Sequence, residues 1–126
     1  MSLSQILYIA IGGAIGAVLR YLASTAVYAL LGRGFPYGTL VVNVLGSLAM
    51  GVLAILLIER VSTGPELRAL LLIGLLGSFT TFSTFSIETL NLIEQGGLIK
   101  AGLNILLSVM LCLAAAWVGT LIGRQL

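Results

Sequence analysis

Hydroxyl and phenyl side chains are interspersed in a stretch that follows the apolar residues 69–76. The stretch covers residues 77–86, with the sequence GSFTTFSTFS, and Glu88 follows it. Phe79, Phe82 and Phe85 recur every three residues, which places them near one another on one side of a helix. Such an aromatic stripe is commonly only packing. Hydroxyls at a depth where lipid-facing residues are normally Leu or Val favour a functional role instead.

The backbone of the same stretch is predicted to break. Gly74 and Gly77 stand just before the hydroxyl cluster and permit an interruption of the helix. Irregular backbone inside a membrane is tolerated only where it is buried in protein or lines a cavity. A break at this position would expose carbonyl oxygens, which are good ligands for a hard cation.

A second polar row lies upstream, at Thr39, Asn43 and Ser47, whose spacing of four residues puts them on one helix face. The Asn43 amide offers two N–H donors to an anion, and a phenyl ring has a positive edge that attracts an anion without trapping it. Asn43, hydroxyl donors and Phe edges therefore suit a small, strongly hydrated anion that must shed water. Hydrogen bonding between helices is the alternative role for the row, above all for Thr39 and Ser47.

Two further groups of residues have open interpretations. Arg20 is a charge inside an apolar segment; it either faces a water-filled vestibule that attracts anions or reaches to the interface as an anchor. Asn104, Ser108 and Cys112 again repeat every four residues. They form either another wall of the same path or an ordinary helix-packing face.

The elements that carry these residues are predicted to be four transmembrane helices in one domain, residues 1–126. Of the residues, 60% are hydrophobic and 8% are charged, against about 25% charged in soluble domains. Four segments have the roughly 20 apolar residues that a spanning helix needs, at about 3–31, 37–58, 67–93 and 98–122. Two GxxxG pairs, Gly12/Gly16 and Gly119/Gly123, are predicted to be close-packing sites. The fold class is therefore an all-α integral membrane protein.

The composition argues against several classes of protein. There is no histidine, which removes the usual near-neutral acid or base and the commonest metal ligand. With only four acidic residues in addition, an enzyme is not expected. The net charge of +2 includes no basic run, so no nucleic-acid partner is expected either.

The orientation in the membrane is poorly determined by charge. Arg60, Arg68 and Arg124 belong to the side that holds the termini, and Arg33 and Lys100 belong to the other. Orientation follows the Lys/Arg bias of short loops, which is slight here. Insertion both ways up, giving an antiparallel dimer like a two-chain inverted repeat, is one prediction. A single orientation with a weak signal is the other, and the counts alone leave both open.

The chain resembles the Fluc (CrcB-type) fluoride channel family over essentially its whole length. Residues 12–21 are similar to the family's Gly-rich first helix with its Arg, and residues 38–43, GTLVVN, to its second-helix signature. Residues 80–86, TTFSTFS, with Glu88, are similar to its third-helix signature and are the most specific match. Ser78 and Asn104 depart from the family's pattern, which leaves the stiffness of the break and the fine pore lining open.

The resemblance implies a dual-topology homodimer of antiparallel subunits with two pores, each lined by both chains. The positions that match the family's fluoride path are Asn43, Phe82, Phe85, Ser83, Thr84, Ser108 and Arg20. It also implies a structural Na⁺ on the dimer axis, held by the carbonyls of Gly77 and Thr80. The expected activity is passive export of F⁻ through a bacterial inner membrane.

Two rival functions remain. A proton-coupled small multidrug-type transporter shares the length and the four spans, but it needs an acidic residue in its first helix, where Arg20 is the only charge. Glu88 is the closest candidate for a proton relay and is expected to bond within the protein near a helix end. A purely structural membrane protein would explain the GxxxG pairs but not Asn43 or the hydroxyl-Phe cluster.

Overall fold

The chain is helical throughout the part that the computed structural model describes, residues 1–60 and 64–126. Within that part, four helical segments are long and apolar enough to cross a membrane: Leu3–Leu31, Tyr37–Glu59, Pro65–Glu94 and Leu98–Gln125. These segments agree with the four predicted spans, and the all-α class is confirmed. They are called spans 1 to 4 below.

Span 1 begins and ends where local chemistry satisfies the backbone. Helix α1 (Leu3–Leu31) starts with a capping box in which Ser2 and Gln5 bond each other's backbone N–H, and it ends at Gly32. Gly32 has φ = 81°, a left-handed conformation that glycine adopts without strain, and its N–H donates to the Tyr28 carbonyl at 2.8 Å. Helix α2 (Tyr37–Ala54) continues as a π-helical stretch, Ile55–Arg60.

Span 3 is built from several pieces rather than one regular helix. Pro65 occupies the first turn of α3 (Pro65–Arg68), where its missing N–H costs nothing. A π-helical stretch, Ala69–Leu76, and a single turn, α4 (Gly77–Phe79), follow. After an interruption come α5 (Phe82–Glu94) and then span 4, which is the single helix α6 (Leu98–Gln125).

The predicted break in span 3 is confirmed, and it lies at two threonines. Thr80 (φ −86°, ψ 156°) and Thr81 (φ −151°, ψ 121°) are both extended between α4 and α5. Gly74 and Gly77, which were expected to permit an interruption, are themselves helical, and the break lies just beyond Gly77. Gly74 serves close packing instead, since a Cβ there would lie 2.7 Å from the Ile9 carbonyl oxygen.

Both GxxxG pairs pack helix backbones together within the subunit, as predicted. A Cβ on Gly12 would clash with the Leu70 carbonyl oxygen, and one on Gly16 would clash with that of Leu75. These contacts hold α1 against the π-helical part of span 3. Close approach of this kind lets dispersion contacts drive helix association in lipid, where no hydrophobic force acts between helices.

The second pair joins α2 to α6 in the same manner. A Cβ on Gly119 would clash with the Leu48 carbonyl oxygen, and one on Gly123 would lie 2.8 Å from the Ile55 Cβ. Spans 2 and 4 therefore run in close backbone contact. Their contact fixes the distance between the two helix faces that carry Asn43 and Ser108.

Substituting Gly119→Ala should destabilise the fold by about 1–3 kcal/mol, because the added methyl meets backbone that cannot move aside. Gly102→Ala is the matched control on the same helix, since a Cβ there meets nothing within 4 Å. The measurement is unfolding in mixed detergent followed by circular dichroism. Equal unfolding midpoints for the two variants would contradict the packing argument.

Candidate functional site

Asn43 is the residue that makes the break in span 3 possible. Its Oδ1 accepts the Thr81 backbone N–H at 2.7 Å, and its Nδ2 donates to the Thr81 backbone carbonyl at 2.9 Å. One amide side chain thus satisfies both backbone polar groups of a residue that has left the helix. Each of these groups would otherwise cost several kcal/mol in a membrane interior.

The Thr81 side chain caps the N-terminus of α5. Its Oγ1 accepts the Thr84 N–H at 3.2 Å and donates to Thr84 Oγ1 at 3.1 Å, as an N-cap residue should. The first turn of a helix carries N–H groups without helical partners and a partial positive charge. The N-terminus of α5 therefore places a positive end at the break without any charged side chain.

Two carbonyls on the other side of the break lose their usual donors. In a continuous helix the Thr81 N–H would donate to Gly77 O, but here it donates to Asn43. The Thr84 N–H would donate to Thr80 O, but it donates to Thr81 Oγ1. The carbonyl oxygens of Gly77 and Thr80, which the sequence singled out, are thereby left without their i+4 partners.

A cavity of about 450 Å³ opens beside the break. Its walls come from α2, the break, α5 and α6: Asn43, Gly46, Ser47, Met50, Thr80, Thr81, Phe82, Phe85, Ser108, Val109, Cys112, Leu113 and Ala116. Asn43, Phe82, Phe85 and Ser108, predicted from separate patterns, are thus brought into one space. None of the lining residues is charged.

The two rings of the cavity have different environments. Phe82 is 76% exposed, whereas Phe85 is 8% exposed. Their ring centroids are 5.3 Å apart and their planes meet at 46°. A tilted pair of this kind directs ring edges as well as faces toward its surroundings. Phe85 belongs to the subunit's interior, and Phe82 projects from it.

Arg20 and Thr84 lie in a second, smaller space of about 220 Å³. Thr39 also lines it, and so does Thr81, which is the residue shared with the larger cavity. Gly77 and Ser83 line neither of the two. Ser83 is exposed, with its Oγ 3.5 Å from Thr81 Oγ1.

Two contacts of Tyr28 were not predicted from the sequence. Tyr28 Oη donates to Glu88 Oε2 at 2.8 Å, and the Tyr28 ring carries the Arg33 guanidinium 4.5 Å from its centroid. Glu88 thus bonds within the protein, as expected, although it lies in the middle of α5 rather than near its end. No local sequence signal marks the pair, because Tyr28 and Glu88 are 60 residues apart.

Thr89 is the other residue that the sequence analysis missed. It accepts a hydrogen bond from Asn104 at 2.8 Å and donates to the Phe85 carbonyl at 2.7 Å. The spacing of Phe85 and Thr89, four residues on one helix face, is the signal by which it could have been found.

Comparison with known proteins places the chain in a family. Residues 7–120 match the family described as CrcB-like protein, Camphor Resistance (CrcB). The chain belongs to the CrcB-like family. With four spans of membrane-crossing length and composition in its described part, this CrcB-like chain is an integral membrane protein.

Its relatives are bacterial proteins named fluoride-specific ion channel FluC. One from Coxiella burnetii is 57% identical over 97% of this chain and 99% of its own length. One from Magnetococcus marinus is 57% identical over 95% and 98% respectively. A third, from Methylococcus capsulatus, is 56% identical over 94% of this chain, which spans about half (52%) of that longer relative.

Asn43→Leu should loosen the break in this CrcB-like chain while preserving side-chain volume. It leaves the Thr81 N–H and carbonyl unpaired, at a cost of about 1–3 kcal/mol for each group. Ser47→Ala, one turn along the same cavity wall, is the control. Hydrogen exchange measured by mass spectrometry should show faster exchange around Thr81 in the Asn43 variant alone. Unchanged protection would mean that Asn43 does not hold the break.

Proposed function

We propose that this protein is a passive, fluoride-selective ion channel that lets F⁻ leave a bacterial cell across its inner membrane. The observation that carries the proposal is the near full-length identity of 57% to proteins named fluoride-specific ion channels. These relatives are channels, so the expectation that the chain is not an enzyme is confirmed. The cavity at the break in span 3 supplies the chemistry that such a channel needs.

The anion path runs through the larger cavity. One N–H of Asn43 donates to the Thr81 carbonyl, and its amide has a second N–H to offer an anion. The edges of Phe82 and Phe85 add weak positive potential, and the N-terminus of α5 adds its partial charge. An uncharged lining of this kind binds a small anion firmly enough to admit it and weakly enough to release it.

Arg20 provides the approach to this path. It lines the smaller space together with Thr84, and Thr81 separates that space from the cavity at Asn43. A guanidinium at the mouth of a narrow polar space concentrates anions near it. The Thr84 hydroxyl offers a donor in the smaller space, and the Ser108 hydroxyl offers one on α6 in the larger cavity. The Ser83 hydroxyl is exposed and would join the path where a second copy covers this face.

The functional unit is an antiparallel homodimer with dual topology. Phe82 is 76% exposed although it belongs to the ion path, and a second copy placed against this face would complete the pore around it. The Lys/Arg bias between the two ends is slight, with Arg60, Arg68 and Arg124 on one side and Arg33 and Lys100 on the other. The Ser4–Glu66 contact (3.4 Å) marks one end, and the bond from Lys100 to the Gly34 carbonyl (3.1 Å) marks the other.

A structural Na⁺ between the subunits fits the donor atoms at the break. The carbonyls of Gly77 and Thr80 lack their helical N–H donors because Asn43 and Thr81 take them. Neutral oxygens on an irregular backbone are the ligands that a hard monovalent cation prefers. Two such pairs, one from each subunit, would supply four oxygens and lock the breaks of the two chains together.

The alternative, a proton-coupled small multidrug-type transporter, has less support. Its acidic residue is missing from α1, whose only charge is Arg20. The carboxylate in the middle of α5, Glu88, accepts a hydrogen bond from Tyr28 and does not line the larger cavity.

The test is ion efflux from liposomes that contain the purified protein. A fluoride electrode follows F⁻ while valinomycin supplies the K⁺ counterflow, and a parallel experiment follows Cl⁻. Rapid loss of F⁻ with Cl⁻ retained is the expected result. Retention of F⁻ by well-folded protein would refute the channel, and coupled transport of organic cations would then be measured.

Replacing Phe82→Ile or Phe85→Ile should reduce F⁻ efflux by about tenfold or more, because apolar bulk is kept while the positive ring edges are lost. Phe79→Ile is the control, since Phe79 stands before the break and outside the cavity lining. Efflux from liposomes with equal protein content measures the effect. Equal losses in all three variants would indicate general packing damage and not a role in the path.

Dual topology predicts that a reporter at the C-terminus is reached from both sides of the membrane. A Leu126→Cys variant, made in a Cys112→Ala background, should react with an impermeant maleimide in about half of its copies in intact cells. Labelling after permeabilisation gives the total. Complete labelling or complete protection in intact cells would show one fixed orientation.

A further inference from the structure

The helix α5 is attached to each of the other three spans by a polar side-chain contact. The three pairs are Asn43 with Thr81 from α2, Tyr28 with Glu88 from α1, and Asn104 with Thr89 from α6. Asn43 supports the break, and Tyr28 satisfies one oxygen of the half-buried Glu88 carboxylate. The third pair, Asn104 with Thr89, has no role in the ion path proposed above.

The third pair includes Asn104, the most deeply buried polar residue among the described residues. Asn104 is 2% exposed, and Thr89 and Ser108 are 7% and 8% exposed. An amide taken out of water is costly unless it is hydrogen-bonded. Leucine would fill this position of α6 without that cost. The amide therefore indicates a role for Asn104 beyond packing.

The hydrogen bonds of this group all run in one direction. Ser108 Oγ donates to Asn104 Oδ1 at 3.4 Å, Asn104 Nδ2 donates to Thr89 Oγ1 at 2.8 Å, and Thr89 Oγ1 donates to the Phe85 carbonyl at 2.7 Å. A hydroxyl has a single proton to give. The relay therefore links the α6 wall of the cavity to the backbone of the ring residue Phe85.

The first bond in this relay is long, and the other two are short. At 3.4 Å the Ser108–Asn104 bond is weak, whereas 2.7–2.8 Å is ideal for a hydroxyl or amide. Ser108 also lines the large cavity. Its hydroxyl can thus rotate toward an anion at small cost, while Asn104 keeps its bond to Thr89 and α5 stays in place.

We infer that Asn104 and Thr89 are positioning residues of the ion path, which hold Phe85 against α6 and aim the Ser108 hydroxyl. In this arrangement Asn104 Oδ1 is the resting acceptor of the Ser108 proton. An anion that accepts hydrogen bonds strongly replaces Asn104 Oδ1 as the acceptor of the Ser108 hydrogen bond. A larger halide, which is a weaker acceptor, does not. The inference rests on the proposed fluoride channel and extends it to two residues that do not line the cavity.

Liposome efflux of a variant series tests the inference. Thr89→Val keeps the shape of the side chain but removes both the acceptor for Asn104 and the donor to Phe85. Thr89→Ser keeps the hydroxyl. Thr120→Val is the matched control, because the Thr120 hydroxyl donates to the Trp117 carbonyl of its own helix at 2.6 Å. F⁻ and Cl⁻ efflux are measured for each, together with Asn104→Leu and the Thr89→Val/Asn104→Leu double variant.

The expected result is a loss of F⁻ efflux of about tenfold in Thr89→Val and in Asn104→Leu, with the F⁻/Cl⁻ ratio also lowered. The double variant should be no worse than either single variant, since both remove one relay. Thr89→Ser and Thr120→Val should stay near the wild-type rate. Wild-type efflux in Thr89→Val, or losses that multiply in the double variant, would overturn the inference.

A measurement on the wild-type protein keeps the inference testable if the valine variant does not fold. Nitrogen-15 NMR of the Asn104 side-chain amide, identified by comparison with Asn104→Leu, should show a shift on adding NaF and none on adding NaCl. An amide chemical shift that does not change on adding NaF would refute the role of Asn104 as the resting acceptor. Wild-type protein that passes no F⁻ would instead refute the proposed function, so the two failures are distinguishable.

Discussion

The structure depends on one pairing, between the amide of Asn43 and the backbone of Thr81. A membrane interior offers no water to a residue that leaves its helix. Both its backbone N–H and its carbonyl must therefore find partners in the protein. Asn43 supplies both from the neighbouring span, at 2.7 and 2.9 Å. Without this amide both groups would lack a partner, at a cost of about 1–3 kcal/mol for each, and the break that lines the cavity would be loosened.

The break provides two electrostatic environments from backbone alone. The new helix begins with N–H groups and a partial positive charge, which suits an anion. The interrupted helix ends with carbonyls whose donors have been diverted to Asn43 and Thr81, which suits a cation. One interruption thus supplies a positive helix end for the proposed fluoride path and carbonyl oxygens for the proposed Na⁺ site.

Two kinds of contact hold the helices together, and they act on different helices. Glycine contacts hold α1 to the first half of span 3, and α2 to α6, at backbone distance. The second half of span 3, α5, is held by hydrogen bonds from side chains of three different helices. Such bonds are individually weak in membranes but strongly directional. They set the depth and rotation of the helix that carries Phe82 and Phe85, while the glycine-packed helices form a fixed frame.

The sequence by itself determined the four spans, the polar faces and the existence of a break, because apolar length and helical periodicity are local properties. It also indicated Asn43, Phe82, Phe85 and Ser108, which the fold brings into one cavity. Only the tertiary structure decided where the break falls: Thr80 and Thr81 are extended because Asn43, 38 residues away, bonds Thr81, whereas the glycines stay helical. The bonds of Tyr28 to Glu88 and of Asn104 to Thr89 likewise join distant residues, so no periodicity within one helix could reveal them.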